Sequence, residues 1–140
     1  MKQPTQPSLR RKNPAGAILG SVKTSYPRVQ RILVPLDFPG RSRQALRYVI
    51  SLAQKFSAHI VLMHVLEPVP KWAPDLPKLS ANIRAATKEA AQRLDTMAAT
   101  LLPAGLHERS VVCHGEPATE ILATIQRHEI DLIVMSTQGR

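Results

Sequence analysis

The stretch Arg31-Ile32-Leu33-Val34-Pro35-Leu36-Asp37 is a short apolar run that ends on a carboxylate. Strands covered on both faces carry near-continuous runs of branched apolar residues, and such strands belong to parallel sheets. Ligands of open α/β sheets collect outside the carboxyl ends of these strands, where the strand order reverses. The run therefore predicts a buried parallel strand with Asp37 at the mouth of a crevice. An aspartate after a strand also forms turns and caps helices, so the carboxylate alone does not decide between structure and binding.

Downstream, Phe38-Pro39-Gly40 makes a turn and Ser42 is placed to cap a helix. Ala45, Leu46, Val49, Ile50, Ala53 and Phe56 recur at helical spacing and predict an amphipathic helix over 42–56. His59 to Leu66 is a second apolar strand, which completes a βαβ unit of the right-handed kind. Pro68, Pro70, Pro74 and Pro77 predict a surface loop over 67–78, with Trp72 inside it. Leu79, Ile83, Ala86, Ala90, Leu94, Met97, Ala98 and Leu101 mark a long helix, stopped by Pro103-Ala104-Gly105. Ser110 to His114 reads as a third strand, and Gly115-Glu116-Pro117 turns into a helix with proline at or near its first position. Ala118, Ile121, Leu122 and Ile125 give that helix its buried face, and Asp131 to Met135 is the fourth strand. The order β-α-β-α-β-α-β with buried strands predicts the α/β class, a doubly wound parallel sheet with helices on both faces.

A chain of 140 residues suits one domain with a real core. Its net charge of +9 suggests nucleic acid until it is mapped. Residues 1–31 hold seven basic and no acidic residues, whereas 32–140 hold twelve basic and ten acidic. Residues 1–28, with four prolines and no sustained periodicity, read as a disordered basic tail ahead of a domain over 29–140. The near-neutral domain argues against nucleic acid as its main partner. No apolar run approaches the roughly 20 residues that span a bilayer, which argues against a membrane. The single cysteine, Cys113, excludes an internal disulfide and any cysteine cluster, and it suits a reducing compartment.

His64 and His114 both end strands, but neither has a carboxylate at ligand spacing, so they read as satisfied strand-end histidines and no metal site is expected. Cys113 alternates with valines and reads as core. Nothing resembles a nucleophile with its base, so no catalytic residue is assigned and the chain is not expected to be an enzyme.

From Arg31 onward the chain resembles the universal stress protein family, the UspA-type domains. The resemblance rests on Ile32-Leu33-Val34-Pro35-Leu36-Asp37-Phe38, Ser42-x-x-Ala45-Leu46, the strand ending His64-Val65, the turn Gly115-Glu116-Pro117, and Asp131 through Arg140. It implies a Rossmann-like sheet of order 3-2-1-4-5, the homodimer that is frequent in the family, a cytoplasmic stress-response role, and ATP held between the ends of the first and fourth strands. By match to the family pattern, Pro35, Asp37, Val65, Met135, Ser136 and Gly139 would bind the adenine nucleotide. Two departures stand out. The family's phosphate loop is written Gly-x-x-Gly and later Gly-Ser/Thr, but Ser136 occupies its first glycine position. The later glycine, the last helix and the fifth strand would lie beyond Arg140, so a C-terminally truncated domain is expected. Glycines let backbone amides close on phosphate oxygens, and a following helix aims its N-terminus at the anion. ATP binding is therefore expected to be weakened or lost, and the alternative is an interaction protein, or a fragment, with a partner covering the fourth-strand edge.

Overall fold

The computed structural model describes residues 28–38, 42–68, 72 and 76–136. The proposed tail over 1–28 lies almost wholly outside these residues, as does Gly139. Four parallel strands, β1 (Arg31–Pro35), β2 (His59–Leu66), β3 (His107–His114) and β4 (Leu132–Ile133), form one sheet of order β3-β2-β1-β4. They alternate with α1 (Ser42–Phe56), α2 (Leu76–Leu101) and α3 (Pro117–Arg127). The α/β reading stands, and the sheet of the described residues has four strands.

Pleating alone decides which core each strand residue joins, since successive side chains point to opposite faces. Ile32, Val34, Ile60 and Leu62 meet Leu46, Val49 and Ala53 of α1 and Leu94 and Ala98 of α2. Leu33, Val61, Met63 and Cys113 face the other way, against Ile121 and Ile125 of α3. β1 is thus buried on both faces, as its unbroken apolar run requires. Chain order explains the layers: α1 and α2 connect strands laid to one side of β1, and α3 carries the chain back across to β4 on the other side.

Three element bounds differ from the sequence expectation. α2 begins at Leu76, inside the expected proline loop, because Pro77 sits in the first turn, where its missing N–H has no intrahelical partner to lose. β3 begins at His107 and not Ser110. His107 lies opposite Ile60 and Arg109 opposite Val61, so Glu108 is the extra residue of a bulge. The Glu108 carboxylate accepts from Arg31 Nε at 3.2 and 3.1 Å, an anchor between β3 and β1 that no local periodicity reports. β4 is shorter than expected, yet Asp131 N donates to Arg31 O at 3.0 Å and Val134 N to Leu33 O at 2.9 Å, so pairing continues past its ends.

Gly115 links β3 to α3 with φ of +146°, and a Cβ there would stand 2.9 Å from Glu120 Oε1. Glu116 then caps α3, accepting from Ala118 N at 3.1 Å and Thr119 N at 2.8 Å. These bonds satisfy two of the amides that a helix start leaves without partners.

Candidate functional site

The strand order reverses at β1: β2 pairs along one side of it and β4 along the other. An open α/β sheet has its crevice at that point, outside the carboxyl ends of the strands. A cleft of about 280 Å³ occupies this place. It is lined by Pro35, Leu36 and Asp37 at the end of β1, by Met63, His64, Val65 and Glu67 from β2 onward, by Pro117 and Ile121 of α3, and by Met135 and Ser136 after β4.

Of the six residues singled out from the sequence, five line this cleft: Pro35, Asp37, Val65, Met135 and Ser136. Gly139 lies outside the described residues. The fold brings the five together because three parallel strands end at one level, so that segments far apart in sequence share one rim. The apolar floor is Met63, fully buried, while Asp37 and Ser136 are exposed at the mouth.

Sequence reasoning missed Glu67 and the contribution of α3. Glu67 follows β2 directly, and its place at the rim depends on where β2 ends. Pro117 and Ile121 were read as a helix start and a buried helix face, and both also form one cleft wall. Gly115-Glu116-Pro117 could have signalled this, since it fixes where α3 begins. The Glu116 carboxyl is held below the usual glutamate range, first by the Thr119 hydroxyl, then by the Thr119 and Ala118 amides.

Among the described residues lining the cleft, Asp37 and Glu67 are the ionisable carboxylates and there is no lysine or arginine. Such a lining accepts hydrogen bonds from hydroxyl and amino donors and opposes a second anion. His64 also lines the cleft. Its Nδ1 lies 2.8 Å from Leu36 O, so Nδ1 carries the proton and donates, and the ring packs on Phe38 with centroids 4.1 Å apart. His114 Nε2 lies 2.8 Å from Thr87 Oγ1, whose own hydroxyl donates to Ile83 O. Both histidines thus have hydrogen-bond partners in the structure. Cys113 is buried, with its Sγ 3.8 Å from Thr124 Oγ1.

No helix among the described residues is long and apolar enough to cross a membrane. The sequence model of the universal stress protein family matches residues 28–140. A universal stress protein encoded in the 3′ region of a QAH/OAS sulfhydrylase gene in Thermus aquaticus is 30% identical over 108 residues, which span 77% of each chain. Among solved structures, UspA from Lactobacillus plantarum superposes with a TM-score of 0.62 at 24% identity, over 81% of this chain and 80% of that one. The hypothetical protein MJ0577 superposes with a TM-score of 0.66 at 21% identity, over 81% of this chain and 78% of that one. At these identities the two structures speak for the fold, and the family rests on the sequence matches.

Proposed function

The chain belongs to the universal stress protein family, and from that premise we propose that it is a cytoplasmic, non-enzymatic stress-response module whose cleft takes the nucleoside end of an adenine nucleotide. The observation that carries the proposal is the convergence of Pro35, Asp37, Val65, Met135 and Ser136 on one cleft at the strand-order reversal. A purine fits between the apolar walls supplied by Pro35, Val65, Ile121 and Met135. The Asp37 carboxylate accepts a hydrogen bond from a ribose hydroxyl or from the adenine amino group, depending on which enters first.

Phosphates gain little here. Among the described residues that line the cleft the charged side chains are carboxylates, Asp37 and Glu67, and Ser136 carries a Cβ where a glycine would let the backbone close on a phosphate. The module therefore discriminates poorly between adenosine and ATP.

Titration calorimetry with adenosine and with ATP tests this. Adenosine is expected to bind saturably, ATP to bind no more than about tenfold tighter, and D37N to weaken adenosine about tenfold, as for loss of one charged hydrogen bond. Absence of saturable adenosine binding into the millimolar range would overturn the proposal. An ATP affinity a thousandfold above adenosine would overturn the argument about the phosphates.

A further inference from the structure

The near-neutral charge of residues 32–140 conceals a strong division. α1 and α2, which share one face of the sheet, carry Arg43, Arg47, Lys55, Lys78, Arg84, Lys88 and Arg93 against Glu89 and Asp95. The rest of 32–140 holds five basic and eight acidic residues. All seven basic side chains on the two helices are exposed. Positive charge is thus gathered on the helical layer away from α3.

Within that layer a groove of about 350 Å³ lies between the start of α1 and the middle of α2, lined by Phe38, Arg43, Glu89, Gln92, Arg93, Thr96 and Met97. We propose that this groove is a binding site for a small oligophosphate, seated on the Arg43 and Arg93 guanidiniums and separate from the nucleoside cleft.

Three features distinguish the groove from a solvated surface. First, Arg93 is held in place: its Cζ lies 4.1 Å from the Phe38 ring centroid. Phe38 in turn rests on His64, which is fixed to Leu36 O. A guanidinium held over a ring still has N–H donors for an oxyanion, in the planar fork that suits phosphate. Second, Arg43 stands in the first turn of α1, where the helix dipole opposes positive charge and no acidic residue offsets it. It contributes nothing to the helix there, and an anion in the groove would neutralise it. Third, neither arginine makes an ion pair among the described residues, although Glu89 lines the same groove. Gln92 and Thr96 add neutral donors on the α2 wall.

The ligand class follows from size and chemistry. Phe38 is already engaged by His64 and Arg93, so the groove offers a platform for a cation and no free ring on which a nucleobase would stack. Its volume suits two or three linked phosphates.

The test is titration calorimetry of inorganic tripolyphosphate into the full chain, beside R43Q, R93Q and R93K. Saturable binding is expected, weakened about tenfold or more by R43Q and by R93Q, and less by R93K, which keeps the charge but not the planar fork. Saturating adenosine should leave tripolyphosphate binding unchanged, so failure of the groove and failure of the cleft are read separately. Absence of saturable binding, or binding that none of the three variants alters, overturns the proposal. So does a single-stranded oligonucleotide that binds where tripolyphosphate does not, since the groove would then belong to a nucleic-acid surface.

Discussion

His64 joins the two sites, and its replacement by alanine should weaken both. The side chain leaves β2 and contacts Leu36 O and the Phe38 ring, on either side of Asp37 in sequence; Asp37 lines the cleft and Phe38 the groove. Two interactions are lost in H64A. The Nδ1–H bond to Leu36 O, 2.8 Å long and half-buried, is worth about 1 kcal/mol net. The ring contact with Phe38, with centroids at 4.1 Å and planes inclined by 37°, is worth about 1 kcal/mol more. Their sum of roughly 2 kcal/mol corresponds to a fall in Tm of about 8 °C for a domain of this size. Calorimetry or circular dichroism on the wild type and H64A measures the shift directly. H64F keeps a ring but no donor, and should recover about half of the loss. Adenosine and tripolyphosphate affinities should fall together in H64A, because residues 36–38 lose their common support. A change in Tm below about 2 °C would refute the accounting. Loss of one affinity with the other intact would refute the coupling.

Two further outcomes concern the fold that carries the sites. Thr124 is fully buried, and its hydroxyl faces only the weakly polar Cys113 thiol at 3.8 Å, so T124V should be neutral or stabilise by up to ~1 kcal/mol in urea unfolding. Destabilisation by more than ~1 kcal/mol would mean that the hydroxyl has a stronger partner. Acid should weaken the protein in two separate windows. Burial, then Arg109 and Arg127, hold His128 below the ordinary histidine range, and hydrogen bonds from Thr119 and Ala118 hold Glu116 below the ordinary glutamate range. In both cases the unfolded chain binds the proton more readily, so each contribution is complete above the unfolded value and is lost as pH falls through the folded one. The His128 contribution should start to fade below about pH 6.5 and that of Glu116 below about pH 4.3. The stability difference between wild type and H128Q should shrink as pH falls through the first window, and that between wild type and E116Q as pH falls through the second, with the E116Q series carried well below the unfolded glutamate value. A flat difference in either would contradict the corresponding shift.

How far the sequence alone could be read depended on the range of each stabilising interaction. The bounds of α1 and β2 were legible to the residue, because an apolar stripe at helical spacing and an unbroken apolar run are local records of what lies against them. β3 was read three residues short because His107-Glu108-Arg109 is polar, and what makes it a strand is the pairing of His107 and Arg109 with Ile60 and Val61 of β2, with Glu108 bulged toward Arg31. The cleft belongs to the legible part. Pro35, Val65 and Met135 each close an apolar strand, and parallel strands must end at the same side of a sheet, so their meeting was foreseeable without coordinates. The groove does not. Arg43 and Arg93 look like ordinary charges on the outer faces of amphipathic helices, and only the packing of α1 beside α2, with Phe38 turned under Arg93, sets them on one anion-sized surface. That difference has a consequence for the two sites. The place of the cleft is specified by where the buried strands end, whereas its polar contacts come from Asp37 and Ser136 beyond those ends. The charges of the groove come from Arg43 and Arg93, exposed side chains that the core does not require, so its chemistry can be removed by one substitution at Arg93 while the fold persists.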